Sequence, residues 1–191
     1  MVPSAPGDVG YLQSSPCIIG DTAFLVTGNG VGHGSDRLIA PEAPSFIAAG
    51  RHTGEIRWKH QPADTGIRGA TLIAGALTFI TANDVTITAL DSQTGTVQWQ
   101  RNLGAHHNDL LAYHAPTVVG PHLYLPTEEG ILYQLAIHDA RKTTRTWEFP
   151  GTHSEHATPI PVPGGLVVAT RSAVFRLKIP PPQSAPRSPN K

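Results

Sequence analysis

Histidine is the residue type in this chain that could most readily do chemistry. The sequence has ten histidines but only 15% charged residues, and neutral imidazole is a good ligand for zinc, copper or nickel. Two close pairs are candidate metal ligands, namely His106 with His107 and His153 with His156. Neither pair matches a fixed ligand motif such as His-Glu-x-x-His. Solvated loop histidines are therefore the competing interpretation, because loops collect polar residues.

Composition excludes several other kinds of site. The single Cys17 rules out an internal disulfide and a multi-cysteine zinc site. Lys and Arg (14) balance Asp and Glu (14), which argues against a nucleic acid or an anionic membrane as partner. No apolar run approaches the ~18 residues of a membrane span. The first residues also lack the basic and apolar regions of a signal peptide. A protein or a small molecule is the partner that remains.

A repeated phrase indicates which elements must position the histidines. Residues 46–58 and 87–99 follow one pattern, in which an apolar run leads into a polar turn with Thr-Gly and an alternating stretch ending in Trp. Trp58 and Trp99 lie 41 residues apart, a period typical of propellers and solenoids. Each copy predicts a β-hairpin whose glycine supplies the positive φ of a tight turn.

A second repeated element, a short run and a glycine turn before an apolar strand, precedes each hairpin. The two elements together predict units of four short antiparallel strands, A to D, spanning about 11–60, 66–103, 112–150 and 156–178. The last unit is expected to stop after its third strand. The predicted fold is all-β, a partial β-propeller of about four four-stranded blades within residues 11–178. We expect residues 1–10 to form a disordered or linker segment and residues 179–191 a disordered proline-rich tail.

The hairpin motif Ala-x-Asp-x-x-Thr-Gly-x-x-x-Trp resembles the repeat of pyrroloquinoline-quinone (PQQ) dehydrogenases and their non-enzymatic relatives. One copy is complete, with Ala89, Asp91, Thr94, Gly95 and Trp99. A second copy has Gly50 in place of Asp and retains Ala48, Thr53, Gly54 and Trp58. The third unit has lost Thr-Gly, and its Trp147 is expected at the same place as the other two tryptophans. The first sixty residues further resemble PQQ-like propeller proteins of planctomycete-type bacteria.

This resemblance implies several properties of the chain. Family propellers close with seven or eight blades, the Trp of one blade docks against the turn of its neighbour, and the parent protein is extracytoplasmic. In a four-stranded meander the B–C loops and D–A connections emerge on one face, here called the loop-rich face. In the family's enzymes this face holds the cofactor and the substrate. The histidines expected on this face are His33, His60, His106, His107, His153 and His156. Those expected on the opposite face are His52, His122 and His138.

The expected function is that of a non-catalytic propeller scaffold presenting its loop-rich face to a protein or a small ligand. The resemblance implies PQQ with calcium as the cofactor of the family's enzymes, but no acidic and amide set can be assigned to it here. Asn83, Asp84, Glu128 and Glu129 lie in B–C loops without a recognisable motif. A degenerate or partial PQQ-dependent oxidoreductase and a histidine-lined metal-binding module are the alternatives. Exposed blade edges also predict self-association.

The metal alternative leads to a direct test. If the chain binds Zn²⁺, it should do so through His106, His107, His153 and His156, because adjacent D–A connections converge on one rim. Calorimetric titration at neutral pH should then show binding that weakens below the ordinary histidine pKa of about 6.5. A His106→Ala/His107→Ala double variant should lose the signal. Binding that is absent, or unchanged in the double variant, would remove the metal function.

Overall fold

The computed structural model describes residues 11–12, 16–28, 45–61, 72–81, 86–103, 115–127, 130–139, 143–149, 158–170 and 173–179. The secondary-structure elements of these residues are β-strands throughout, grouped in four antiparallel sheets. None of the described segments forms a helix with the length and apolarity needed to cross a membrane. The all-β class and the partial propeller predicted from the sequence are confirmed.

The strands follow the chain in four blades. Blade 1 contains β1 (Tyr11–Leu12), β2 (Cys17–Ile19), β3 (Thr22–Gly28), β4 (Ser45–Gly50) and β5 (Ile56–His60). Blade 2 contains β6 (Leu72–Ala74), β7 (Leu77–Thr81), β8 (Thr86–Asp91) and β9 (Val97–Asn102). Blade 3 contains β10 (Thr117–Val119), β11 (His122–Pro126), β12 (Ile131–Ala136) and β13 (Thr143–Glu148). Blade 4 contains β14 (Ile160–Val162), β15 (Gly165–Ala169) and β16 (Val174–Lys178).

Each blade is an antiparallel meander in which consecutive strands pair. In blade 1 both β1 and β2 pair with β3, so they act as two halves of one first strand. The described residues of blade 4 form three strands, and β16 pairs only with β15 among them. The turn between the third and fourth strands follows a common pattern in blades 1 and 2. In blade 2, Gly95 has a φ of 72° and donates its N–H to Asp91 O at 2.8 Å.

The complete motif also braces its own turn through the carboxylate of Asp91. Its Oδ1 accepts the N–H of Gln93 at 3.0 Å and the N–H of Thr94 at 2.8 Å. Hydrogen bonds from Thr94 lower the pKa of Asp91, because they favour the charged carboxylate. In blade 1, Gly50 occupies the place of this residue and its carbonyl still accepts the N–H of Gly54 at 2.7 Å. The backbone bond is therefore common to both turns, whereas the carboxylate is an addition.

The hydrophobic core lies between the blades rather than within them. Neighbouring residues on a strand point to opposite faces. An inner blade therefore packs one face on the preceding blade and the other face on the next blade. The cluster between blades 1 and 2 comprises Phe24, Val26, Phe46, Ala48, Ile80 and Leu90. The cluster between blades 2 and 3 comprises Leu77, Phe79, Ile87, Ala89, Leu123, Leu125, Leu135 and Ile137. The cluster between blades 3 and 4 comprises Tyr124, Leu132, Phe149, Leu166 and Val168.

Tryptophan docking closes the first two interfaces in the way that the family resemblance implies. The indole N–H of Trp58 donates to Ser92 O of blade 2 at 3.2 Å. Its ring lies so close to Gly95 that a Cβ there would fall 2.6 Å from Trp58 Cδ2. At the next interface the indole N–H of Trp99 donates to Ile137 O of blade 3 at 2.8 Å. Ser92 and Ile137 hold equivalent places, since the N–H of each bonds to the first turn of its own blade.

The third interface differs from the other two. Trp58 pairs with Ala48 and Trp99 with Ala89, whereas the equivalent pair in blade 3 is Gln134 with Arg145. Trp147 pairs with Leu132, two residues further along β13. The expectation that Trp147 stands at the same place as the other tryptophans is therefore wrong. The third unit, which lacks Thr-Gly, has one more residue between Gln134 and Arg145 than the other two units have between the paired Ala and Trp. Counting along the sequence therefore does not identify the docking residue.

The predicted terminal segments need one correction. Ile179 was expected to begin a disordered tail, but its N–H donates to Gly164 O at 3.1 Å and its side chain packs against the cluster between blades 3 and 4. This bond is the counterpart of the Ile137 bond to Pro121. Residue 179 thus belongs to blade 4. The predictions for residues 1–10 and 180–191 lie outside the described residues.

Two substitutions separate the contributions of the docked indole. Trp99→Ala should destabilise the chain by about 3 kcal/mol, because it leaves a cavity between blades 2 and 3. Trp99→Phe keeps most of the apolar contact and loses the bond to Ile137 O, so it should cost about 1 kcal/mol. Urea unfolding of both variants would measure these values. Losses below those of His52→Ala, a change at an exposed turn residue, would show that docking does not hold the blades together.

Candidate functional site

The candidate metal ligands His106, His107, His153 and His156 lie outside the described residues, and the metal site therefore stays a prediction. Within the described ranges, no three His, Cys, Asp or Glu side chains come together in a group that could hold a metal ion. His52 and His138 lie in the turns that join third to fourth strands, and His122 is the first residue of β11, directly after the first turn of blade 3. Those are the positions expected for the face opposite the loop-rich face.

His60 was expected in the connection that follows blade 1. The structure instead makes it the last residue of β5. It pairs with the buried Phe46, so its ring lies on the face of blade 1 that packs against blade 2. The ring is half-buried, and its Nε2 atom has no hydrogen-bond partner within the described part of the chain. Burial lowers the pKa of His60, since the charged imidazolium is poorly solvated there.

The described residues do not supply a site for PQQ and calcium. A calcium ion needs six to eight oxygen ligands at about 2.3–2.6 Å. Asp91 uses its carboxylate in its own turn, and Asp21 is bonded to Arg57 at 2.6 Å. The acidic residues of the B–C loops, Asp84, Glu128 and Glu129, lie outside the described part of the chain.

The described residues instead form a pocket that the sequence analysis missed. It lies between blades 3 and 4 and has a volume of about 610 Å³. The pocket is lined by the first turns of blades 3 and 4, by one face of β11 to β13 and by the end of β16. These residues are Val119, Gly120, Pro121, His122, Tyr124, Gln134, Arg145, Trp147, Val162, Gly164, Gly165, Lys178 and Ile179. We call this cavity the blade 3–4 pocket.

Aromatic and cationic groups meet in the blade 3–4 pocket. The ring centroids of Tyr124 and Trp147 are 6.1 Å apart, and the Arg145 guanidinium carbon lies 4.7 Å above the Trp147 ring. Tyr124 is fully buried, and none of the described residues forms a hydrogen bond with its hydroxyl. Burial raises the pKa of Tyr124, although the charge of Arg145 opposes the effect. The sequence signal for this site was the loss of Thr-Gly in the third unit, which marks the changed turn.

The outward faces of the two end blades carry exposed apolar side chains. Ile18 pairs with Ala23 on the face of blade 1 that points away from blade 2, and it is 58% exposed. Val174 and Ile160 lie on the face of blade 4 that points away from blade 3, and they are 72% and 59% exposed. Inside the stack the same positions are covered. Leu132, the blade 3 counterpart of Val174, is 1% exposed, and Ile73, the blade 2 counterpart of Ile18, packs into the blade 1–2 cluster.

Comparisons with known proteins agree with this architecture. The family model for outer membrane protein assembly factor BamB matches residues 12–148. The structure of BamB from Moraxella catarrhalis superimposes with a TM-score of 0.66 at 18% identity, over 90% of this chain and 48% of BamB. The chain thus spans about half of the length of BamB. No curated protein matches the sequence.

Two other solved structures show the same fold. The computationally designed Ika4 protein superimposes with a TM-score of 0.67 at 13% identity, over 93% of this chain and 96% of that protein. A europium-containing methanol dehydrogenase superimposes with a TM-score of 0.56 at 15% identity, over 75% of this chain and 27% of the enzyme. At these identities the likeness establishes the PQQ-like β-propeller fold alone. The resemblance to planctomycete-type proteins stays an expectation.

The buried imidazole of His60 leads to a prediction about pH. Its pKa is lowered in the folded chain, so the neutral ring contributes stability above the ordinary pKa of about 6.5, and this contribution is lost as the pH falls through that value. His60→Leu should therefore show a smaller decrease in melting temperature between neutral and mildly acidic pH than the wild type. His52→Leu, at an exposed turn, is the control. Equal pH dependence in the wild type and His60→Leu would contradict the burial of this ring.

Proposed function

The chain belongs to the family of outer membrane protein assembly factor BamB, and from this premise we propose that it is a non-catalytic protein-binding scaffold. In this proposal the blades form a rigid support, the loop-rich face is offered to a protein or a small ligand, and the two end faces dock further blades. The name of BamB describes a factor in protein assembly, which supports protein binding over catalysis.

The observation that carries the proposal is the apolar exposure on the two end faces. Apolar residues that a monomer leaves together on its surface commonly mark a protein interface. Leu132 and Ile73, the counterparts of Val174 and Ile18, are covered inside the stack, so a neighbouring sheet on either end would cover Val174 and Ile18 in the same way. Blade 4 offers a further attachment point, because β16 has an edge without a strand partner among the described residues, and such an edge can pair with another strand.

Neither alternative function has comparable support. The likeness to methanol dehydrogenase is one of fold, and fold and activity separate freely among superfolds. The carboxylates of Asp21 and Asp91 are engaged in structural contacts, and the histidine-lined metal site rests on residues outside the described part of the chain. We therefore favour protein binding through the end faces over an oxidoreductase function and over metal binding.

Sedimentation velocity over a wide range of concentrations tests the docking of further blades, with a second copy of the chain as their simplest source. The wild-type protein should form species heavier than its 20.3 kDa monomer, in proportions that rise with concentration. Ile18→Lys and Val174→Lys each place a charge in one end face, and each should shift the distribution to monomer, because burying an unpaired charge is costly.

Gln93→Lys is the matched control, because it adds the same charge to an exposed turn away from both end faces. It should sediment like the wild type. Circular dichroism confirms that all variants keep their strands. A wild type that stays monomeric at every concentration, or lysine variants that associate as strongly as the control, would refute the proposal.

A further inference from the structure

We infer that the blade 3–4 pocket binds an acidic peptide segment of a partner protein, which inserts an aromatic side chain between the two blades. This site lies away from the loop-rich face and from the outward faces of the end blades. It therefore adds a second, specific recognition function to the proposed scaffold, and it does not depend on whether the end faces dock further blades.

The three interfaces between blades differ at one equivalent position. At the first two, an indole fills the space between blades and donates to a backbone carbonyl of the next blade, at Ser92 or Ile137. At the third, the equivalent residue is Arg145, and it lies over the ring of Trp147. Ile179, the counterpart of Ser92 and Ile137, lines the pocket. The place that receives an aromatic side chain is thus retained, but the chain's own tryptophan at that position is missing.

The size and walls of the pocket suit such an insertion. A volume of about 610 Å³ exceeds what one side chain requires and lies within the range of ligand pockets, about 300–1,000 Å³. Val119, Val162 and Ile179 form apolar walls. Trp147 is partly exposed and offers a ring surface to an incoming aromatic group, and aromatic pairs favour tilted or offset contacts.

A buried hydroxyl also points to a ligand. Tyr124 is fully buried, and its hydroxyl has no partner among the described residues. A buried polar group without a hydrogen bond is costly, so most such groups in native proteins are paired. A peptide carbonyl or carboxylate in the pocket would accept a hydrogen bond from this hydroxyl, which would remove the cost of leaving it unpaired.

Charge defines the chemistry of the peptide. Arg145 and Lys178 are cationic, and none of the residues that line the pocket is acidic. A carboxylate near the aromatic side chain would pair with Arg145, for which the planar guanidinium is well suited. An acidic segment is therefore attracted, and a basic one is repelled.

The edge of blade 4 explains why the occupant is an extended peptide. Lys178 ends β16, whose outer edge has no strand partner among the described residues. A peptide added along this edge would gain backbone hydrogen bonds, and alternate side chains would point toward blade 3. Backbone pairing would then supply affinity, and the pocket would supply selectivity for an aromatic residue.

The test uses fluorescence anisotropy of labelled peptides with the full chain. The first peptide is extended and carries one Trp between Glu residues. In the second the Trp is replaced by Ala, and in the third Gln replaces every Glu. We expect binding of the first peptide and losses of about tenfold or more for the other two, since one hot-spot contact is worth at least that factor. Binding should also weaken with salt.

Two substitutions at the same position separate filling of the pocket from loss of charge. Arg145→Trp should restore the docking of the other interfaces, so it should raise the melting temperature and abolish peptide binding. Arg145→Gln removes the charge without filling the space, and it should weaken binding and reduce its salt dependence while leaving the melting temperature unchanged. Arg51→Gln, on an exposed turn of blade 1, is the matched control and should bind like the wild type.

Three results would overturn the inference. One is equal affinity for the three peptides, and another is undiminished binding by both Arg145→Trp and Arg145→Gln. The third is binding that appears only after residues 180–191 are removed, because the occupant would then be the chain's own tail. Lys178→Gln provides an independent test of the charge contribution. If both Lys178→Gln and Arg145→Gln leave the affinity and its salt dependence unchanged, charge does not contribute to peptide binding.

Discussion

The structure depends on the fact that a single blade has no core of its own. Each sheet is one layer thick, so its apolar side chains are buried only when another blade covers them. Phe79 and Leu90 show this directly, since neighbouring strands of blade 2 send one to blade 3 and the other to blade 1. Docked indoles reinforce the same contacts, because each joins the fourth strand of one blade to a turn of the next. Stability is therefore a property of the interfaces between blades, as in other repeat proteins.

The candidate functional surfaces lie where this requirement is not fully met. The outward faces of blades 1 and 4 have no neighbour among the described residues, and they expose Ile18 and Val174. At the third interface the blades do pack, but Arg145 stands at the position of the docked tryptophan and a pocket remains. A docking position that the chain does not fill itself is available to a partner. The likeness to BamB, at 18% identity, gives the fold in which these surfaces occur and leaves their partners to be identified by chemistry.

Much of the fold could be predicted from the sequence, because its signals are local. Turn glycines, alternating apolar residues and the Thr-Gly hairpin motif each act within a few residues, and they recur at a regular period. The errors arose where a long-range pairing decides the outcome. Trp147 was misplaced because a longer turn changes which residue faces Gln134, and His60 was assigned to a connection although pairing with Phe46 keeps it in a strand. The blade 3–4 pocket was not predicted, because the loss of Thr-Gly indicates a changed turn in the third unit but does not show that Arg145 pairs with Gln134 and takes the docking position.

Indole docking holds the first two interfaces and is absent from the third. Hydrogen exchange of the three indole N–H protons, followed by nuclear magnetic resonance, measures this directly. Trp58 and Trp99 donate to carbonyls of the next blade, so their indole protons should exchange slowly and together with the unfolding of the stack. The indole proton of Trp147 should exchange much faster. Equal protection of all three, or slower exchange at Trp147, would contradict the account.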